Sequence, residues 1–338
     1  MSAGPTVSGR LPDRHPTADF FVCDIFGAPL KDDLGSMEHP IFSLSTRPDR
    51  RVLSYAHKGT HVEVTPSVRG RATIHDKDIL IYCISQLMAA MNAGRAISRT
   101  LHLKAHDLLV ATNRDTSGDA YARLREAFER LAGTRITTDI ATGGTETTTG
   151  FGLIESWQIV RHTRAGRMVS VTVTLSEWIY RAVLSRAVLT LHRDYFRLRK
   201  PLERRIYELA RKHCGRQPEW KVSVAVLHKK SGSTAPVRVF RAALRRMIVD
   251  ANLPDYALRE EPGDLIVFER EAVVVEATRS VVLSEAARDE ARALAPGWDV
   301  HALEAEWRSW WHQTGAPTLT NPDAAFAGWV RGKVKREP

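Results

Sequence analysis

The stretch VSVAVLHKKSGSTAPVRVFRAALRRMIVDANLPDYALREEPGDLIVFE, Val222 to Glu269, decides how this chain is read. A short segment, Val222 to Lys230, leads into a turn at Ser231 to Thr234. A longer helix is then expected from Pro236 to Ala251, because Val237, Phe240, Leu244 and Ile248 recur three or four residues apart and make an inward stripe. Two β-rich runs follow, Tyr256 to Arg259 and Asp264 to Glu269. Just upstream, Lys200 to His213 reads as a helix ended by Gly215. Helix, helix, turn, helix and β-hairpin is the order of a winged helix-turn-helix.

The same order recurs nearer the N-terminus. A strong helix from Asp76 to Asn92 carries Ile79, Tyr82, Cys83, Gln86, Leu87 and Met91 at helical spacing, with Gly94 closing it. A β-like run (Ser98 to Leu103), a short helix (Lys104 to Asn113), a turn (Asp115 to Gly118) and a longer helix (Asp119 to Ala132) come next. β-rich sequence then runs from Arg135 to Thr174, and the Gly- and Thr-rich stretch Thr142 to Gly150 inside it is expected as a loop, the wing. Ile41 to Ser45, Arg51 to His57 and His61 to Ser67 are expected strands, Asp19 to Phe26 a docked strand or arm, and the tail up to Ala18 disordered. Beyond the second copy, Ser284 to Ala295, Asp299 to Thr314 and Pro322 to Arg331 read as helices. The expected architecture is α+β: tandem winged helix-turn-helix domains followed by a small C-terminal α-helical segment. Its boundaries are a tail at 1–18, a first domain with extra strands at 19–182, a second at 183–272, and the helical region at 273–338.

Charge points to the partner. The net charge is +10, and between Arg186 and Arg246 stand 17 Lys and Arg against 4 acids, so the remainder of the chain is slightly acidic. A basic segment concentrated in this way is the footprint of a phosphate-binding surface. Three scattered cysteines, Cys23, Cys83 and Cys214, suit neither a disulfide framework nor a zinc site, and a reducing cytoplasm is the expected compartment. The polar start has the look of no signal peptide, and no apolar run is long enough to span a bilayer, so no membrane partner is expected.

Within the basic segment, Arg238, Arg241, Arg245 and Arg246 share one side of the expected helix with no acid among them. Such a row repels itself unless an anion neutralises it. Guanidinium groups on an exposed helix can reach phosphates or the acceptor edge of guanine in the major groove. Lys229, Lys230, Ser233 and Thr234, in or before the turn, suit backbone phosphates. In the first copy Tyr121, Leu124, Phe128 and Leu131 face inward, leaving Arg123, Arg125 and Arg130 outward beside Glu126 and Glu129, with Lys104 and Arg114 flanking. Arg199 and Lys200, in a cluster with Arg197, Arg204 and Arg205, complete the DNA-binding candidates, although Arg204 and Arg205 have the alternative of pairing with Glu203 and Glu208 on their own helix. Five of eight tryptophans (Trp298, Trp307, Trp310, Trp311, Trp329) lie in the C-terminal helices, either as the core of a small domain or as a platform for single-stranded DNA.

Enzymatic readings fail on spacing. No Gly-rich phosphate loop with its Lys and Ser or Thr is present. His57 with His61, and His102 with His106, lack the helical context of a metal pair, and the acid pairs Asp76/Asp78 and Asp32/Asp33 are explained by a cap and a loop. No cofactor, metal or catalytic residue is expected.

RHPTADFFVCDIFGAPLKDDLGSMEHPIFSLSTRPDRR (Arg14 to Arg51), VEVTPSVRGRATIHDKDILIYCISQL (Val62 to Leu87) and LTLHRDYFRLRKPLERRIYELARKHCG (Leu189 to Gly215), with DLLVATNR (Asp107 to Arg114) and GFGLIESW (Gly150 to Trp157), resemble the plasmid replication initiator protein A family. APGWDVHALEAEWRSWW and NPDAAF resemble the C-terminal extension of such initiators. The resemblance implies recognition of direct repeats (iterons) in double-stranded origin DNA, local melting, and recruitment of the host initiator and replicative helicase. It also implies control of plasmid copy number through autoregulation, a homodimer repressing the initiator's own promoter while the monomer acts at the repeats. A transcriptional repressor using the same domains is the alternative.

Overall fold

The computed structural model describes residues 29–57, 60–92, 94–142, 145–161, 168–215, 217–270, 283–296, 298–313, 319 and 321–334. The expected tail and the arm at Asp19 to Phe26 lie outside the described residues. The chain divides into two compact units, Met1–Glu271 and Ala272–Pro338.

The first unit opens with β1 (Lys31–Asp33) and α1 (Leu34–Glu38), capped by the Asp33 side chain, then β2 (Leu53–His57), β3 (Thr60–Thr65) and α2 (Lys77–Asn92). Of the expected strand Ile41 to Ser45 only a bridge from Ser43 to Thr73 forms. From Lys77 to Ala89 every residue of α2 is buried. A helix buried on all sides needs partners on all sides, and α2 has them: Ile79, Leu80, Tyr82, Cys83 and Ile84 enter one hydrophobic core while Ile81 enters a second.

Around the first core are β4 (Thr100–Lys104), α3 (Ala105–Ala111), α4 (Gly118–Gly133), β5 (Arg135–Thr142), β6 (Thr145–Gly152), β7 (Ile154–Arg161), β8 (Met168–Leu175) and α5 (Glu177–Leu184). β4, β8 and β7 form an antiparallel sheet in that order. The stretch expected as a loop, Thr142 to Gly150, is largely the strand β6: it pairs with β5 from Thr142↔Thr145 to Arg135↔Gly152 and extends a second sheet, β2-β3-β5-β6. Threonine is β-branched and suits a pleated surface, so a Thr-rich run can complete a ladder that its glycines seemed to forbid.

After β9 (Val188–Thr190), which pairs with β1, and a 3-10 turn at Arg193–Arg197, the second core gathers α6 (Pro201–Cys214), β10 (Glu219–Ser223), α7 (Val224–Ser231), α8 (Val237–Asp250), β11 (Tyr256–Glu261) and β12 (Leu265–Arg270). Pro201 starts α6, and Glu203 accepts from the Lys200 backbone N–H at 3.3 Å. The sheet order is β10-β12-β11. Strand, helix, helix and hairpin occur twice, each time with the last strand in the middle of its sheet and a long helix ahead, but in the first copy β5 and β6 of the other sheet intervene between α4 and the hairpin β7–β8.

The second unit contains α9 (Glu285–Leu294), α10 (Val300–Gln313) and α11 (Pro322–Val334) around Trp307, Trp311, Phe326 and Val330. Trp307 is fully buried and stacks on Trp311 at 6.3 Å, so part of the tryptophan enrichment is core. Trp298 and Trp310 remain 37% and 46% exposed.

Candidate nucleic-acid interface

Ser223 caps α7 by accepting from the Val226 N–H, and Gly232 ends it in the left-handed region at φ 69°. Side chains knit the turn that follows: Ser231 Oγ donates to the His228 carbonyl (2.7 Å), and the N–H groups of Ser233 and Ala235 donate to Ser231 Oγ and Ser233 Oγ. A Cβ at position 232 would meet Pro40 at 2.5 Å, so the turn is also packed on the N-terminal segment. These contacts set the direction in which α8 leaves.

Phe240, Leu244 and Met247 form the buried stripe of α8, with Ile248 at its edge. Val237, expected inside, is 40% exposed. Seven residues are close to two turns, so Val237 lies in line with Leu244, but as the first residue of α8 it stands at the end of the stripe and is left partly open. Arg238 and Arg246 are exposed and have no ion-pair partner among the described residues. Arg241 and Arg245 lie on the flank facing the hairpin. Arg241 donates to Asp264 at 2.7 and 3.0 Å, and Arg245 is bidentate to Glu260 at 2.8 and 2.9 Å. The Arg245 guanidinium holds the Glu260 carboxyl below its usual range. The row has no acid of its own on α8, and the loop and strand of the hairpin supply counter-charges instead. Arg245 nevertheless stays 61% exposed, and a guanidinium held by a carboxylate on one edge keeps N–H donors on the other.

Lys229 is exposed, whereas Lys230 is buried and bound to Glu38. Burial would raise the Glu38 carboxyl, but the Lys230 ammonium outweighs it and holds the group low. Ser233 is half-buried in the turn and Thr234 exposed at its end. Arg199 is exposed, and Lys200 bonds to Glu203 at 2.8 Å with Asp250 nearby at 3.6 Å.

In the first repeat Leu124, Ala127, Phe128 and Leu131 are the inward face of α4 and Tyr121 is half-buried. Arg123 is exposed, and Arg125 is exposed while pairing with Glu129. Arg130 points inward to the buried carboxylate of Asp76, bidentate at 2.7 and 2.8 Å. Lys104 is exposed at the end of β4, and Arg114 is drawn to Asp78 and the His75 carbonyl. Arg114, Arg130 and Lys230 are thus structural ion-pair partners, unlike the exposed Arg123 of α4 and Arg238 and Arg246 of α8.

A seam of buried charge joins the repeats. Lys77 of α2 contacts Asp32 at 2.6 Å and Glu208 of α6 at 3.0 Å, and Tyr195 donates to Glu208 at 2.7 Å. Arg204 reaches Asp78 of α2 and donates to the carbonyls of Leu198 and Phe196. Arg205 pairs with Glu208 and donates to the carbonyls of Ser36, Met37, Glu38 and Lys230. The reading of Arg204 and Arg205 as phosphate grips is corrected by their 3% exposure; of the alternative pairings, Arg205–Glu208 forms and Arg204 takes Asp78 instead of Glu203. Burial pushes the Asp32 carboxyl up to about 8, with Glu208 and Asp33 adding to the rise against the pull of Lys77.

The sequence reading passed over Arg47, Arg50 and Arg51. They lie in the loop TRPDRR, Thr46 to Arg51, whose Arg51 donates to Thr234 at 3.3 Å. Three arginines around a Pro-Asp turn were the available signal. As for metal chemistry, His61 contacts Ser54 and Asp139 and His102 contacts Thr172. Among the described residues no group of three or more His, Cys, Asp or Glu is placed to hold an ion. Among the same residues no helix is long and apolar enough to cross a membrane.

Residues 31–258 match the family model of Replication initiator protein A. A relative from Wigglesworthia glossinidia brevipalpis, provisionally described as a replication protein, is 37% identical over 257 residues, which is 75% of this chain and 93% of the relative. Two solved structures of domains 2 and 3 of RctB superpose with a TM-score of 0.48. One, of selenomethionine derivatives, is 17% identical and covers 67% of this chain and 92% of its own; the other is 15% identical and covers 71% and 98%.

Proposed function

Starting from the fact that this chain belongs to the replication initiator protein A family, we propose that it is a non-catalytic initiator that binds double-stranded origin DNA through tandem winged helix-turn-helix repeats. The observation that carries the reading is the exposed face of α8, where Arg238, Arg245 and Arg246 stand clear of the core on a helix whose direction is fixed by a packed turn. A helix of that kind fits the major groove, with the β11–β12 hairpin beside it over the backbone. On α4, Arg123 and Arg125 occupy the corresponding position, with Lys104 at the end of β4. Lys229, Ser233 and Thr234 suit phosphates ahead of α8, and Arg199 and Lys200 flank α6.

In this reading the targets are direct repeats, and docking on one face of the duplex puts their centres about two helical turns apart, near 20–22 base pairs. Local melting, recruitment of the host initiator and replicative helicase, and autorepression by a homodimer complete the proposed role. The repressor alternative uses the same helices. Footprinting of DNA flanking the gene tests the first part: protected tandem repeats are expected, and a uniform pattern without them counts against the proposal. Replication of a plasmid from which the gene has been deleted would favour the repressor.

A further inference from the structure

Between the two repeats lies a surface that neither reading helix supplies. The loop Thr46 to Arg51 is held by its own buried carboxylate. Asp49 is 7% exposed and accepts from Arg71 at 3.1 Å and from Arg51 at 2.9 Å, while its carbonyl accepts from the Arg71 N–H at 2.8 Å. The preceding Pro48 lies against Gly70, whose φ of +92° disfavours any side chain and where a Cβ would stand 3.1 Å from the Pro48 Cα. The loop is therefore fixed before any ligand arrives.

What it presents is cationic. Arg47 is exposed with no ion-pair partner among the described residues, and Arg50 is exposed and donates its Nε–H to the Val68 carbonyl at 2.8 Å. Arg51 is 65% exposed and extends to Thr234, in the turn before α8. On the opposite side, Thr46, Arg47 and Pro48 share a cleft of about 490 Å³ with Arg123 of α4. The acids of that cleft, Asp76, Asp78, Asp115 and Glu126, are engaged: Asp76 and Glu126 with Arg130, Asp78 with Arg114 and Arg204, and Asp115 with Ser117. One rigid loop thus borders the cleft beside α4 on one side and hydrogen-bonds to the turn that launches α8 on the other.

Resting on the function proposed above, we infer that Arg47 and Arg50 form a phosphodiester-binding bridge, gripping the DNA backbone that runs between the segments read by α4 and α8. The ligand is the phosphate chain itself, without base preference, because guanidinium groups at a loop tip neutralise phosphates by charge and carry no groove geometry. The bridge fixes the phase of the two helices along the duplex, and its own contribution is blind to sequence.

The test uses the full chain and two duplexes of equal length, one carrying the flanking repeats and one random, titrated over a range of salt concentrations. Arg47→Gln with Arg50→Gln is expected to weaken both duplexes by the same factor, to leave their affinity ratio unchanged, and to lower the slope of log K against log salt by about 1.8, two phosphates at about 0.9 each. Arg47→Lys with Arg50→Lys is expected to restore the slope, which a merely structural role would not do. Unchanged affinity and slope would overturn the inference, and so would a loss confined to the repeat duplex, which would mean base contacts. Arg238→Gln with Arg246→Gln is the separate arm. It is expected to lower the ratio between duplexes, and an unchanged ratio there, with the bridge variants behaving as stated, strikes the reading-helix proposal alone.

Discussion

Lys77 on α2 lies 3.0 Å from Glu208 on α6, and both side chains are buried. Each long helix precedes one of the two repeats, so this pair joins them at their leading elements, with Asp78–Arg204 beside it. Breaking a buried pair by removing one partner strands a charge, at about 3–5 kcal/mol. Lys77→Met is therefore expected to lower the unfolding free energy by that order and to separate the unfolding of the repeats into two steps. Denaturation followed by fluorescence and circular dichroism checks this, and a loss under about 1 kcal/mol would show that the seam is not holding the repeats together.

Glu260 of the hairpin holds Arg245 of α8. Glu260→Gln removes the negative charge from beside Arg245, so DNA affinity is expected to rise and its salt dependence to steepen. Arg245→Ala is expected to lower affinity about tenfold if the free edge of its guanidinium reaches a base. Binding unchanged in both variants would place the pair outside the interface.

Stability is expected to peak close to neutrality. His75 and His213 are held neutral, at about 3 and about 4, by burial and neighbouring cations; their stabilisation is complete above their ordinary range near 6.5 and is lost as pH falls toward the folded values. Asp32 has the opposite sign. Its folded value near 8 exceeds the unfolded one, so the folded state binds the extra proton and stability falls as pH rises from about 4 to about 8. Thermal melts should decline between pH 6.5 and 8 in the wild type and decline less in Asp32→Asn. An equal decline in both would remove Asp32 as the cause.

Trp307 is the largest fully buried side chain of the second unit. Trp307→Ala is expected to unfold that unit, at a cost of about 3–5 kcal/mol, while leaving binding to repeat DNA intact, since α8 and its hairpin belong to a different core. Loss of repeat binding in this variant would tie the C-terminal helices to site reading. Failure of plasmid replication with binding preserved is the result expected if they engage other proteins.

Local chemistry alone determined much of this protein. Three- and four-residue spacing of apolar side chains, Gly94 after α2 and Gly215 after α6 placed these helices within a few residues, because those signals act over one or two turns. The repeated order and the strand pairs at Tyr256 and Asp264 were legible for the same reason. What only the tertiary structure decided is which charges are free. Arg204 and Arg246 are chemically identical in the sequence, yet one is buried on Asp78 and the other exposed. Asp264 lies 23 residues from Arg241, and Asp76 lies 54 from Arg130. A charge is satisfied by whatever stands within a few ångströms of it, a distance set by how helices and sheets pack across the chain, so arginine counts located the basic region and packing decided which arginines stay exposed.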